Sequence, residues 1–400
     1  MSGIYHIRDF GAMAQELCTT YIQSAIDTCA ASGGGTVVVS DGTYVTGTIF
    51  MKSNVHLRIE GGARLLMSGN IEDFPDFACE WDVREAPRFS ARCMIYIGNC
   101  ENVSVEGLGT IDCNASAYCE ENPTQRVSED DPFFVRRMRR KYEAKDSIGR
   151  MIFVMKSKNV TLSDFTMTEM AGGWGVWINA SEFVNVRALK LYCCPDYPNT
   201  DGIHINCSHD VFVSDCTVHS GDDSLIIRAN TNMLGEDIPC ENVVVKGCTF
   251  SSHCQAIRIG WFGDGEIRNC IVSDVVITDS RDAITIALPK GSAPGNVGKN
   301  IPRIERLSFN NIVIDRTCRY PVNISIAESE ETKCGYIRNL RFTAFNSRTG
   351  YFPMLVGREE NYLEDITFDC CRFEITERAD KGFIPRYVRN LKMDCEWHVK

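Results

Sequence analysis

The sequence predicts an all-β fold, a right-handed parallel β-helix (β-solenoid) with a short N-terminal capping helix. Two observations predict it. From about residue 95 one phrase recurs: a polar residue, an alternation of β-branched or apolar residues, and a short polar turn. Its instances include Asn102-Val103-Ser104-Val105, Asn159-Val160-Thr161-Leu162, Asn185-Val186, Asp210-Val211-Phe212-Val213, Asn242-Val243-Val244-Val245, Glu266-Ile267, Arg306-Leu307-Ser308-Phe309, Asn339-Leu340-Arg341-Phe342, Asp365-Ile366-Thr367-Phe368 and Asn390-Leu391. The period is the second observation: Asn159 to Asn185 is 26 residues, Asn185 to Asp210 is 25, and Ile366 to Leu391 is 25. Such periods mark solenoids or propellers, and a propeller blade needs roughly 40 residues or more. Short alternating strands with asparagine and glycine turns favour the solenoid, with three short strands per coil.

Residues 1–35 read as a cap. Thr20-Tyr21-Ile22-Gln23 has the pattern of a capping box. Ile22, Ala25, Ile26 and Cys29 form one apolar helical stripe, and Gly33-Gly34-Gly35 ends it. Such a helix covers the open apolar end of a solenoid. Residues 113–149 break the rhythm. They are highly charged, contain Arg136-Arg137-Met138-Arg139-Arg140-Lys141, and read as an insertion with helical character between two coils. A solvated face is the simpler reading of the basic run; on the cleft side it walls off a substrate channel. A second, loop-like insertion lies around 289–303. The whole, 1–400, reads as a single β-helix domain.

Composition narrows the partners. A formal charge of -11 and a pI near 5.3 argue against nucleic acid or an anionic membrane surface. No apolar run approaches the length of a membrane span. The start, Met1-Ser2-Gly3-Ile4-Tyr5-His6-Ile7-Arg8, lacks the basic and apolar regions of a signal peptide, so a cytoplasmic location is expected. The sequence has 20 cysteines. Cys216, Cys248 and Cys270 follow a polar pair or a glycine at similar points of the repeat, which suits reduced thiols in buried stacking positions. There is no Cys-x-x-Cys pair. Cys193-Cys194 and Cys370-Cys371 are strand neighbours that point to opposite faces. Neither a metal nor another cofactor is expected.

The chemistry lies in three aspartates: Asp201, in Asn199-Thr200-Asp201-Gly202, and the pair Asp222-Asp223, in Gly221-Asp222-Asp223-Ser224. Asp201 and Asp222 are 21 residues apart, a spacing that stacks them on neighbouring rungs, about 4.8 Å apart. Clustered carboxylates are costly unless used. Glycoside hydrolysis uses them, one as acid and others to activate water, and crowding raises one pKa. The plainer alternative is a turn pair and an Asx-turn residue.

Taken together, these segments resemble the polygalacturonase-like glycoside hydrolases, family 28. The matching pieces are Asn199-Thr200-Asp201-Gly202, Gly221-Asp222-Asp223 and Ser252-His253. Asp9-Phe10-Gly11-Ala12, Phe50-Met51-Lys52-Ser53-Asn54-Val55-His56-Leu57 and Glu60-Gly61-Gly62-Ala63 are similar to the entry segment of exo-acting bacterial members. Gly107-Leu108-Gly109-Thr110-Ile111-Asp112 and Trp174-Gly175-Val176-Trp177 are further landmarks. The resemblance implies an inverting, exo-acting hydrolase of pectin-derived or related plant oligosaccharides. It implies that Asp222 protonates the glycosidic oxygen, that Asp201 and Asp223 activate water, and that His253, one coil on, tunes the acid. Asn199, His204 and Trp174 are candidate substrate contacts.

The departures bear on substrate. The family's Arg-x-Lys pair, which binds the sugar carboxylate, is replaced by Ala283-Ile284-Thr285-Ile286-Ala287, and its His-Gly by His253-Cys254. With Ile284 and Ile286 inward, Thr285 and Ala287 face the cleft, and neither pairs a carboxylate. Arg258 and Arg228 point outward by the same alternation and are the candidate replacements, since arginine grips a carboxylate at two points. Either they bind the uronate, or the substrate is a neutral sugar; an ion pair is the plain alternative for each. A polysaccharide lyase on the same fold and a non-catalytic carbohydrate-binding β-helix are the other readings. The three aspartates and His253 argue against both. The oligomeric state is not legible.

Overall fold

The computed structural model describes residues 3–77, 92–122, 141–145, 148–170, 172–231, 234–288, 300–327, 333–377 and 382–400. It is a parallel β-helix. Ten strands form one continuous parallel sheet: Ile49–Phe50, Cys93–Gly98, Arg150–Met155, Trp174–Asn179, Ile203–Asn206, Leu225–Arg228, Gln255–Ile259, Asp282–Leu288, Val322–Ile326 and Met354–Val356. This first sheet carries the candidate site. The other two strands of each coil belong to a 21-stranded sheet. One coil runs Ile203–Asn206, His209–Ser214, Thr217–Ser220, and the next begins at Leu225.

The recurrent phrase is a corner. Coils bend through left-handed residues five positions apart: Asn159/Asp164, Phe183/Ala188, Asp210/Asp215, Asn242/Gly247, Asn269/Asp274, Arg306/Asn311, Asn339/Ala344 and Asp365/Cys370, with φ from 52 to 73°. Asn, Asp and Gly tolerate this conformation best. Their side chains also link coils: Asn159 Nδ2 donates to Asn102 Oδ1 at 2.7 Å, and Asn390 Nδ2 to Asp365 Oδ1 at 2.9 Å. Two instances of the phrase fall off the corner. Phe183 and Asn269 take the left-handed position, and Asn185 and Glu266 do not.

Between corners, alternate residues point inward and stack on their equivalents. Phe309, Phe342 and Phe368 are register partners with centroids 4.9 and 4.7 Å apart. Each buried ring of this kind contributes about 1.5–3 kcal/mol. The cysteines share this space. None of the 19 described cysteines is in a disulfide, and most are buried. Cys216 and Cys248 each follow the second corner and face one another, as does the pair Cys371 and Cys395 in the last coils. Cys270 departs from the expected series: it follows the first corner, at Asn269, so it packs elsewhere in the core.

The cap is the helix Thr19–Ala31, which buries Ile22, Ala25, Ile26 and Cys29. The capping box does not form. Cys18 occupies the N-cap position without a side-chain bond to the helix, and Thr20 lies inside the helix. Gln23 is drawn to another partner: its amide donates to Phe50 O at 3.0 Å and accepts from Phe50 N at 2.9 Å. A side chain thereby satisfies the open edge of the first sheet, a position that otherwise invites pairing with another chain. In the insertion the described parts are one helical turn, Ala115–Tyr118, and an antiparallel pair, Cys119–Glu121 with Tyr142–Ala144. Arg136 to Arg140 and residues 289–299 lie outside the described residues. Among the described residues, no helix is long and apolar enough to cross a membrane.

Candidate active site

The site is built at the edge where chain enters the strands of the first sheet. Gly202 N bonds Asp223 O at 2.9 Å, Ile203 N bonds Ser224 O at 2.9 Å, and Ser224 N bonds Gln255 O at 3.0 Å. This register sets Asp201 beside Asp223, not beside Asp222 as the 21-residue spacing suggests. The coil closes one residue later than that count assumes. Glycine permits the close approach: a Cβ on Gly202 meets Ser224 O at 2.2 Å, and one on Gly221 meets Thr200 Oγ1 at 2.4 Å. Asp222 is held at the turn by its carbonyl, which accepts from the hydroxyls of Ser220 and Ser252, each at 2.6 Å. Its carboxylate, that of Asp223 and the Cys254 thiol lie within 4.8 Å of one another.

The three aspartates sit in different surroundings. Asp223 is buried; its Oδ1 accepts from Gln255 N at 2.9 Å and its Oδ2 faces Arg258 Nη1 at 3.3 Å. Burial pushes its pKa up, against the opposing pull of Arg258 and with the help of the Asp222 charge. Asp201 is buried too, and its Oδ2 accepts from His204 Nε2 at 3.1 Å. Burial, then the guanidiniums of Arg228, Arg150 and Arg258, hold His204 well below the usual imidazole range. The imidazole is therefore neutral, and the contact is a hydrogen bond, although the separation also suits an ion pair. Asp222 is only half-buried, open enough to meet a substrate oxygen.

His253 is half-buried on the next turn, with its N bonded to Ser220 O at 3.1 Å, adjacent to the Cys254 of that cluster. Cys254 donates to Gln255 Oε1 at 2.9 Å and accepts from Arg281 Nη2 at 3.1 Å. Burial and both aspartates raise its pKa well above the ordinary thiol value, so it stays a thiol. A metal at the Asp222, Asp223 and Cys254 atoms must first displace that proton.

Trp174 stacks on His204 with centroids 3.7 Å apart and is partly exposed, whereas Trp177 is buried against Phe153 at 4.7 Å. Arg150 lies over both tryptophans. Asn199 is half-buried in the turn before Asp201, at φ 51°. The two outward arginines are already engaged. Arg228 donates through Nε and Nη2 to the fully buried Asp264, at 2.6 and 2.7 Å. Arg258 bonds Asp223 and Gln255 Oε1, and its guanidinium lies 3.6 Å from the centre of the Trp261 ring. Ile284 and Ile286 are inward, and Thr285 is the register partner of Arg258.

The sequence reading did not single out Gln255, Trp261, Asp264 or Arg281. Alternation in Gln255-Ala256-Ile257-Arg258-Ile259 places Arg258, but nothing local signals that Gln255, three residues before it, turns back to meet it. The same three-residue interval joins Asp201 to His204.

A family model for glycosyl hydrolases family 28 matches residues 36–340, about three quarters of the chain. A probable polygalacturonase of Vitis vinifera is 23% identical over 70% of this chain and 55% of its own length. The exo-poly-alpha-D-galacturonosidase of Dickeya chrysanthemi is 25% identical over 73% of this chain and 52% of its own length. The matches thus span about half the length of these curated relatives. The crystal structure of an exopolygalacturonase from Thermotoga maritima is similar in fold, with a TM-score of 0.77 at 18% identity, covering all of this chain and 92% of that one. On the family match, with the coil architecture behind it, the chain belongs to glycosyl hydrolases family 28.

Proposed function

We propose that this chain hydrolyses O-glycosidic bonds of pectin-derived or related plant oligosaccharides from one end, with inversion at the anomeric carbon. The observation that carries the reading is the divided environment of the three carboxylates. Half-buried Asp222 serves as the acid that protonates the leaving oxygen. Asp201 and Asp223, adjacent in register behind it, serve to position and deprotonate water. Neutral His204 supports this by donating to Asp201, which orients that carboxylate. In an inverting pair the acid and base stand about 6.5–9.5 Å apart; Asp223 lies within 4.8 Å of Asp222, so Asp223 is assigned to positioning the water and Asp201 to taking its proton. His253 is proposed to tune the proton of the acid, and Trp174 to touch the sugar, with Asn199 in the turn before Asp201. A cytoplasmic location is proposed to accompany short oligosaccharide substrates.

The test is hydrolysis of defined oligogalacturonides and related oligosaccharides, with the first-formed anomer read by NMR. Inversion is expected. A product of retained configuration overturns the assignment of Asp201 and Asp223 to water, because retention requires a carboxylate nucleophile.

A further inference from the structure

The outward row of the first sheet continues past the carboxylates through Ile226, Arg258, Thr285 and Asn323, which are register partners on successive rungs. Three buried atoms along it make no hydrogen bond: Arg258 Nε, Thr285 Oγ1 and Asn323 Oδ1. A fourth, Trp261 Nε1, belongs to the ring beneath Arg258. Buried polar atoms are satisfied in the great majority of cases, so a run of orphans on neighbouring rungs points to a missing partner. Thr285 is only 2% exposed, yet its hydroxyl finds nothing to bond. Arg258 and Asn323, on either side of it, are partly exposed.

Charge decides what kind of ligand fits. Arg258 is committed to Asp223 and Gln255. Arg281 faces Asp282 at 3.3 Å, and Arg319 also bonds Asp282, through Nε at 3.0 Å. Along these rungs each guanidinium already has a carboxylate partner: Arg258 bonds Asp223, and Arg281 and Arg319 both bond Asp282. A carboxylate arriving here must compete with those partners and loses its hydration. A hydroxyl both donates and accepts, and so matches a row that mixes an N–H with oxygen acceptors.

We infer that Arg258, Thr285 and Asn323 form a subsite that binds an uncharged glycosyl unit through its hydroxyls. The inference rests on the oligosaccharide reading of the neighbouring carboxylates and narrows its substrate. The unit on these rungs is a neutral sugar or an esterified uronate, not a free uronate.

The test is calorimetric titration of the Asp222→Asn protein with a trigalacturonide as the free acid and as its methyl ester. The ester is expected to bind about tenfold tighter or more. Thr285→Val in the same background keeps the shape and removes the hydroxyl. It should weaken ester binding roughly three- to tenfold, while leaving the melting temperature of the free protein equal or higher, since an unsatisfied group is gone. Tighter binding of the free acid, or binding of neither, overturns the inference. So does a Thr285→Val protein that melts lower and binds unchanged, because the hydroxyl then bonds internal water. Turnover is followed separately with the unsubstituted protein. Ester binding without turnover defeats the hydrolase reading alone; turnover of free-acid oligomers without the ester preference defeats the subsite alone.

Discussion

His204 lies flat on Trp174, with ring centres 3.7 Å apart and planes 11° from parallel. The stack fixes the imidazole edge that donates to Asp201. Because burial and three guanidiniums depress the His204 pKa, the folded chain binds this proton less readily than the unfolded one. The stability that neutral His204 contributes is therefore present above the unfolded value, about 6.5, and is lost as pH falls below it. His204→Gln keeps a donor for Asp201 but does not titrate. Urea melts at pH 7.5 and 5.0 should show a smaller acid loss in the variant. The difference approaches about 1.4 kcal/mol per pH unit at its steepest. Equal losses in the two proteins would remove His204 as the source.

Asp222→Asn should leave the fold intact and remove most activity. The carboxylate is half-buried, and the turn is held by its backbone carbonyl, which the change does not touch. Loss of a general acid costs on the order of 10²–10⁴-fold. Near-normal turnover on a substrate with a poor leaving group would refute the acid role.

The coil was legible because a solenoid repeats its constraints. The residues at Asn102, Asn159, Asp210, Asn242 and Asn339 announce the corner since Asn and Asp tolerate its φ best. Phe183 shows the limit: neighbouring coils force the same bend on a poor residue, and no local signal marks it. The carboxylates were legible as a set, but their register was not. One extra residue in a turn moves Asp201 from Asp222 to Asp223, and sequence spacing cannot weigh the carbonyl bonds that decide this. The outward direction of Arg228 and Arg258 followed from alternation. The partner Asp264 sits in a loop, where alternation stops, and Gln255 is the first residue of the strand that carries Arg258.

The thiols should be reduced in the native protein. All 20 cysteines are expected to react with a thiol reagent after denaturation without reductant. Cys216 and Cys248 should be unreactive beforehand, being buried in the core. A count lowered in steps of two would indicate bridges and overturn the proposed reducing compartment.

Asp223→Asn should be no less stable than the parent at neutral pH. Burial raises the Asp223 pKa, so the native chain holds this proton more tightly than the unfolded one. The parent's favourable contribution is then full below the unfolded carboxylate value, about 3.9, and is lost as pH rises through the folded value. Any gain from the amide belongs near pH 7 and should vanish by about pH 3.5. Thermal melts across that range check the sign. A variant that is weaker at pH 7 but level with the parent in acid would mean that the Arg258 pairing outweighs burial.

Arg258 supplies the counter-charge that keeps Asp223 from rising further. Arg258→Ala removes that pull while leaving the burial of Asp223 in place. If Asp223 must be ionised to position the water, the acid limb of the kcat/KM profile should move to higher pH in the variant. Arg258→Lys restores a charge but not the planar fork that reaches both Asp223 and Gln255. It should recover the position of the limb in part, with less recovery of KM. A limb that stays put in both variants would assign the acid limb to another group and leave Arg258 with a packing role over Trp261. A limb that moves with Ala and returns with Lys would mark Arg258 as a positioning residue acting through Asp223.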